Sequence, residues 1–430
     1  MLNNNIQEND NNNLNVNDFI NIFRDLNKIL SNTSTYEDIN DISNNLLNNK
    51  IDLPHFTYNE YKMLEEEFFK IEISLKEADF NLSHDVLNYL RYLKEMIEVQ
   101  VKSYNIPISV VIPTFNVERF IGDCLCSLIN QSFSDFEVIV VDDCSSDSTT
   151  DIVDYYSKLD SRIKLFENSI NVGSGGSRNF GLKQAKGKYV LFVDGDDWLD
   201  VNCLEKLYNL AEKHNTQTVM YKLINFEDDG TKFIKDDYLS VSCLDRFNNS
   251  LFNSNDVEPA ELFEVSVVAM NKLYLRCFLM DINASFPEKY IHQDNPFFYQ
   301  TFCECERIFL ADEYLYNRRL WSGSITHLRD DTELGTIEIV ETILKVFINN
   351  GLYDRYKEYL LNRLLFKLRN RYTLVGDSFK EEYFFRAKNK LNKFMFDYGL
   401  FDDLMECLWV ENKEFFNKII YSRDFEEFIK

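Results

Sequence analysis

The sequence predicts an α/β protein, a mostly parallel sheet with crossover helices, flanked by N-terminal and C-terminal helical regions. Three observations lead there. Short apolar runs rich in β-branched residues, at Ile108–Ile112, Phe136–Val141, Ile163–Phe166 and Tyr189–Val193, alternate with stretches of helical periodicity. The first, second and fourth runs each end in a polar cluster: PTFN, DDCSSDS and DGDD. From Val16 to Tyr104 and beyond Asp330 the periodicity is helical.

Composition narrows the class. A chain of 430 residues calls for two or three domains, and 45% hydrophobic with 15% aromatic content suffices for packed interiors. The net charge of -25 argues against a nucleic-acid partner, because a phosphate backbone needs clustered Lys and Arg. Nine cysteines without paired spacing read as reduced thiols, and Cys303-x-Cys305 has no second pair to make a zinc site. The first residues lack a basic region or apolar run, and no stretch is apolar enough for a membrane span, so a cytoplasmic protein is expected.

In chain order, the first fifteen or so residues are Asn-rich and expected to be disordered. Phe19, Ile20, Phe23, Leu26, Ile29 and Leu30 then begin a series of four amphipathic helices ending near Tyr104, a helical domain over 1–105. It carries no ligand-type cluster, and oligomerisation, acceptor recognition and simple capping all stay open for it. Ile108–Ile112 opens the sheet domain, 106–329, and Asn116 is expected to N-cap the helix reaching Asn130. The second strand ends at Asp142 and Asp143, and Asp147 or Ser148 starts the next helix. NVGSGGSRNFG follows the third strand. It fails the dinucleotide fingerprint, because Arg178 stands where the third glycine belongs, and it fails the P-loop, because Leu182 replaces the lysine. Its glycines are expected to allow close backbone approach and Arg178 to meet an anion.

The fourth strand runs into Asp194, Gly195, Asp196 and Asp197. Three carboxylates at a strand end repel one another unless a cation neutralises them, and hard oxygen ligands suit Mg²⁺ or Mn²⁺; an acidic turn facing water is the plainer alternative. Ligands of such sheets bind outside the carboxyl ends of the strands.

The runs ISVVIPTFNVERFIGDCLCSLINQSFSDFEVIVVDDCSSDSTTDIV and NVGSGGSRNFGLKQAKGKYVLFVDGDDWL strongly resemble the bacterial family 2 glycosyltransferases, which have the GT-A nucleotide-sugar transferase fold. The resemblance continues, more weakly, to Thr326. It implies that Pro113 and Phe115 lie against the nucleobase and that Asp143 accepts a hydrogen bond from uracil. Asp194 and Asp196 match the outer positions of the DxD motif, with Asp194 near the ribose, Asp196 on Mn²⁺ or Mg²⁺ bridging the diphosphate, and Asp197 a further donor contact. Arg318 and Arg319, followed by Trp321, resemble a loop closing over the diphosphate, and His327 stands where some relatives add a metal or phosphate contact. Relatives commonly carry Glu-Asp as the catalytic base; here Gln293 and Asp294 stand instead, so Asp294 is the expected base and Gln293 an acceptor contact, with helix capping the other role open to Asp294.

The region 330–430 is helical, and Arg363, Lys367 and Arg371 recur at i+4. Such a stripe meets an anionic lipid or lipid-linked acceptor, or is simply solvated and paired with nearby carboxylates. The resulting expectation is an inverting glycosyltransferase moving a sugar from a nucleotide donor, a UDP-sugar, to a hydroxyl of a surface glycan such as lipopolysaccharide or capsule. Its partners would be that donor and a glycan or lipid-linked acceptor, with peripheral membrane contact and homo-oligomerisation through the N-terminal helices as further options. A catalytically inactive nucleotide-sugar-binding scaffold and a nucleotidyltransferase on a similar sheet are the alternatives.

Overall fold

The computed structural model describes residues 24, 64, 67, 68, 70, 106–227, 230–234, 240–321 and 331–430. The chain divides into two compact units, Met1–Asn105 and Ile106–Lys430. The expected disordered start and the four N-terminal helices, apart from five helical positions, lie outside the described residues.

The second unit alternates as the periodicity implies: β1 (Ile106–Thr114), α1 (Ile121–Ile129), β2 (Phe136–Asp142), α2 (Thr149–Leu159), β3 (Ile163–Glu167), α3 (Gly173–Gln184), β4 (Gly187–Phe192), β5 (Trp198–Leu199), α4 (Cys203–His214) and β6 (Thr218–Glu227). Short elements follow: β7 (Lys232–Phe233), β8 (Ser250–Phe252), α5 (Pro259–Leu262), β9 (Lys272–Leu275) and α6 (Arg276–Asp281). Then come α7 (Asp294–Glu304), β10 (Ile308–Leu320), α8 (Thr336–Asn349), α9 (Tyr353–Leu374), α10 (Lys380–Phe396), α11 (Phe401–Glu406), α12 (Val410–Tyr421) and α13 (Phe425–Ile429).

The sheet order is β3-β2-β1-β4-β9-β6-β10-β5, with β7 on β6 and β8 on β10. β3, β2, β1 and β4 are mutually parallel, as are β6 and β10, while β9 runs antiparallel between β4 and β6. The chain winds one way from β1 to β2 and β3 and returns to the other side of β1 as β4. The strand order therefore reverses between β1 and β4, and a crevice opens at their carboxyl ends.

The strands are apolar without alternation because both faces are covered. Val111, Val190 and Phe192 face one core with Phe286 and Phe297; Val110, Ile112 and Leu191 face the other with Ile121, Leu125 and Leu204. Residues beyond 330 share the first of these cores. Phe347 of α8 packs 5.8 Å from Phe263, 5.5 Å from Tyr299 of α7 and 5.4 Å from Tyr356 of α9, measured between ring centroids. Among the described residues no helix is long and apolar enough to cross a membrane.

One local expectation is corrected. Asn116 does not cap a helix: α1 begins at Ile121, and Asn116 sits at φ 51° with its Oδ1 accepting from the Ser146 N–H at 2.8 Å. Its side chain is instead engaged by the loop that follows β2, a tertiary contact thirty residues away in sequence.

Candidate active site

The site is assembled around the first turn of α3. Gly173, at φ 78°, takes the left-handed conformation that brings the chain into the helix. Asp143, from the end of β2, receives the orphan amides there: the N–H groups of Val172 and Gly173 donate to its two oxygens at 2.9 and 2.8 Å, and Asn168 Nδ2 donates at 2.9 Å. A carboxylate has about four acceptor directions, so this buried group keeps roughly one for a ligand.

Gly175, one turn on, allows a second segment to close in. A Cβ there would lie 2.4 Å from the Pro287 carbonyl oxygen and 2.8 Å from Gln293 Cγ. Gln293 is buried and its Nε2 donates to Ser174 Oγ at 2.6 Å, so this side chain is engaged with α3. The expectation of close backbone approach at these glycines is met by the loop preceding α7.

Arg178 projects from α3 toward the turn after β4. Its Nη2 donates to Asp194 Oδ1 at 2.6 Å, and its guanidinium lies 5.5 Å from the Phe286 ring centroid. The residue is 6% exposed, and Nε and Nη1 are buried with no hydrogen-bond partner. Buried donors are rarely left unpaired, so two idle guanidinium nitrogens beside an acidic turn are an unusual feature of this site.

The three carboxylates of the turn differ in their partners. Asp197 is buried, accepting from Tyr316 Oη at 2.6 Å and from the Arg319 N–H at 2.7 Å. Burial, then Asp196 and Asp194, push its pKa well up, while those two hydrogen bonds oppose the rise. Tyr316 Oη also accepts from the Asp194 N–H at 3.1 Å, so one tyrosine hydroxyl of β10 pins both ends of the turn. Asp196 accepts from Trp321 Nε1 at 2.8 Å through Oδ2. Burial and then the Asp194 charge raise its pKa, partly offset by Trp321 and Arg318.

These groups fit a divalent cation in one specific way. Asp194 Oδ2 and Asp196 Oδ1 have no hydrogen-bond partner among the described residues, and the Asp194 charge disfavours that of Asp196. Among those residues no cluster of three or more His, Cys, Asp or Glu forms a cage. One or two carboxylates, completed by substrate phosphates, is the usual protein share of a Mg²⁺ site.

At the end of β1, Pro113 is buried in the strand and Phe115 is 43% exposed at the crevice mouth. Arg319, from the end of β10, donates to the Asp196 carbonyl at 3.0 Å and to Asp123 at 2.9 Å, with its guanidinium 4.6 Å from the Phe120 ring and 4.8 Å from Trp198. Arg318 contacts Asn225 at 3.4 Å and acts electrostatically on Asp196. His327 lies outside the described residues.

Asp294 is the first residue of α7, partly exposed, with Oδ1 accepting from Asn295 Nδ2 at 2.8 Å. The approach to it is strained: Lys289 and His292 adopt φ of 65° and 61°, and Asn116 and Cys144 do likewise beside β1 and β2. Non-glycine residues in this region concentrate where surrounding structure fixes a functional loop. Sequence reasoning left out Tyr316 and assigned no role to Trp321 as the donor to Asp196. An acidic turn with buried members demands donors, and a strand ending in Tyr-Asn-Arg-Arg-Leu-Trp is the signal that supplies them.

Residues 109–263 match Glycosyl transferase family 2. The poly(ribitol-phosphate) β-glucosyltransferase of Bacillus spizizenii is 32% identical over 214 residues, 49% of this chain and 31% of that protein. The uncharacterized glycosyltransferase EpsJ of Bacillus subtilis is 30% identical, over 51% of this chain and 63% of its own length. The poly(ribitol-phosphate) β-N-acetylglucosaminyltransferase TarS of Staphylococcus aureus is 28% identical, over 60% of this chain and 43% of its own length. The chain thus spans between 31% and 63% of these relatives. A crystal structure of TarS residues 1–349 in complex with UDP-GlcNAc aligns with 69% of this chain and 92% of that one, at 21% identity and a TM-score of 0.47.

Proposed function

We propose that this chain, whose residues 109–263 match Glycosyl transferase family 2, moves a sugar from a UDP-sugar donor to a hydroxyl of a bacterial surface glycan, with inversion at the anomeric carbon. The observation that supports this most directly is Arg178: a buried guanidinium paired to Asp194 through Nη2, with Nε and Nη1 unpaired, facing the turn that carries Asp196. A cation-poor acidic turn and a donor-rich arginine side by side suit a metal-bound diphosphate.

In this reading Phe115 offers its exposed ring to the base, and Asp143 uses its remaining acceptor direction for a ring N–H. Asp194 and Asp196 would hold Mn²⁺ or Mg²⁺, which would supply positive charge to stabilise the departing diphosphate. Arg178 and Arg318 add positive charge on the same side. Asp197 acts through the backbone, fixing the Arg319 amide and the turn. Asp294 takes the proton from the acceptor hydroxyl as it attacks, since an alcohol is a poor nucleophile at neutral pH. Attack opposite the leaving group in one displacement inverts the configuration, and no covalent enzyme nucleophile is involved.

The acceptor follows from the relatives' names: two act on poly(ribitol-phosphate), so a polyol-phosphate glycan is the acceptor class proposed. The test incubates the full chain with UDP- and GDP-sugars, with and without Mn²⁺, reading thermal shift and nucleoside diphosphate release. A UDP-sugar that raises Tm and releases UDP only with metal is expected. Pyrophosphate formed from a nucleoside triphosphate would identify a nucleotidyltransferase instead, and donor binding without turnover would identify a scaffold.

A further inference from the structure

The stripe Arg363, Lys367 and Arg371 lies on α9, and it does not lie on a solvent face. It is turned toward the loop and helix that carry Asp294. Arg371 Nη1 lies 3.3 Å from Glu333 Oε1, and Glu333 Oε2 lies 3.9 Å from His292 Nε2, two residues before Asp294. Arg363 stands beside the buried Tyr299 of α7 and acts on its hydroxyl. Lys367, between them, is half-buried and feels Arg363, Arg371, Asp294 and Glu333.

Polar groups in this cluster are short of partners. No hydrogen bond or ion pair reaches Lys367 Nζ among the described residues. Arg371 Nε is buried without a hydrogen-bond partner, and His292 Nε2 and Glu333 Oε2 are buried and, at 3.9 Å, too far apart to hydrogen-bond each other. The cluster sets three cations against two carboxylates, one of which is engaged by Arg371. Burial, then Arg363 and Arg371, press the Lys367 pKa down to about 7. An anion placed there would relieve that repulsion and give the idle donors an acceptor.

We propose that Arg363, Lys367 and Arg371 form a phosphate subsite beside Asp294, which holds a phosphate group of the acceptor while a neighbouring hydroxyl reaches the candidate base. This rests on the glycosyltransferase reading for its placement and goes beyond it in the ligand. The donor diphosphate is not the occupant, because Arg178, Asp194 and Asp196 already provide for that at the β1–β4 crevice. The inward orientation disfavours a flat membrane: a lipid surface needs charges that protrude, whereas these are partly covered by α7 and the loop before it.

The experiment uses the full chain and titrates inorganic phosphate and a short ribitol-phosphate oligomer, each with UDP and Mn²⁺ present to fill the donor site. Binding is read by calorimetry on wild type, Lys367→Gln, Lys367→Arg and Arg386→Gln, the last an exposed basic control on α10. The oligomer should bind and be displaced by inorganic phosphate. Lys367→Gln should weaken both ligands by about tenfold or more, as for loss of a charge-assisted contact, while Lys367→Arg stays within about threefold and Arg386→Gln is unchanged. Thermal melts of each variant separate a binding loss from misfolding. Equal affinity in wild type and Lys367→Gln, or no binding of either soluble probe, would overturn the subsite. So would binding confined to phosphatidylglycerol vesicles, which would make the stripe a membrane face. UDP binding, measured on the same samples, reports on the donor reading separately: its failure with phosphate binding intact removes the glycosyltransferase reading and leaves the anion site.

Discussion

Arg178 Nη2 and Asp194 Oδ1 meet at 2.6 Å, joining the helix that follows β3 to the turn that follows β4. The pair links a glycine-rich helix start to an acidic strand end, two motifs that are separate in sequence. Arg178→Met leaves Asp194 without its cation and removes the unpaired donors. Stability should fall by about 2 kcal/mol in urea unfolding, and the donor KM should rise about tenfold or more. An unchanged KM would show that the guanidinium serves only the fold.

Asp196→Ala removes one member of a mutually repelling pair. Turnover should be lost and Mn²⁺-dependent UDP binding abolished in calorimetry, with thermal stability held or raised because the like charge at Asp194 is relieved. Full turnover of the wild type in excess chelator would contradict the metal assignment.

Asp294→Asn keeps shape and hydrogen bonding while removing basicity. Transfer should drop roughly 10²-fold or more, and donor affinity should barely move. Nuclear magnetic resonance of the wild-type product should show the inverted anomer; a retained one would require a different mechanism.

Gly175→Ala tests the packing that brings the Asp294 loop to α3. The new Cβ meets backbone at 2.4 Å, which cannot be relieved by rotating a side chain. The loop must shift, with a loss of about 1–3 kcal/mol in unfolding experiments and a lower kcat. A crystal structure of the variant with the loop unmoved would refute the argument.

Glu341 of α8 gives the pH prediction. It is buried among Lys390, Lys393 at 2.8 Å, Lys345 at 3.0 Å and the Tyr398 hydroxyl at 2.9 Å. These partners outweigh burial and hold its pKa well below the usual carboxylate range. A lowered folded-state value means that the unfolded chain binds the proton first. Its stabilisation is therefore full above about pH 5 and drains away as pH falls through about 4 and lower. Glu341→Gln should lose about 3 kcal/mol at pH 7 and show a shallower acid transition in denaturation curves.

The strand and helix alternation was legible because burial on both faces writes a continuous apolar run, as in Ile108–Ile112 and Phe136–Val141. β9 was less so. NKLYL is short and has no crossover helix of its own, so its antiparallel insertion between β4 and β6 is set by tertiary pairing rather than local pattern. At the site, Arg178, Asp194 and Asp196 could be singled out because glycine-rich and acidic motifs are local. The partners of the two carboxylates, Tyr316 and Trp321, lie more than a hundred residues away in sequence from the groups they contact. The i+4 spacing of Arg363, Lys367 and Arg371 identified a stripe but not its direction, since α9 is buried on more than one side by Leu360, Leu361, Leu364, Leu365 and Leu368.

The sharing of Phe347 between Phe263, Tyr299 and Tyr356 has a consequence for engineering. Because these rings form one core, cutting the sheet domain from the helices after residue 331 and splicing on another tail would divide it. A chimera made there would expose the apolar back of the helix that bears Asp294 unless the donor tail brought its own ring to that socket. Exchange of acceptor preference between relatives should therefore succeed only when the helices after residue 330 travel together with Phe263 and Tyr299, and variants selected for a new acceptor should accumulate paired changes across this seam.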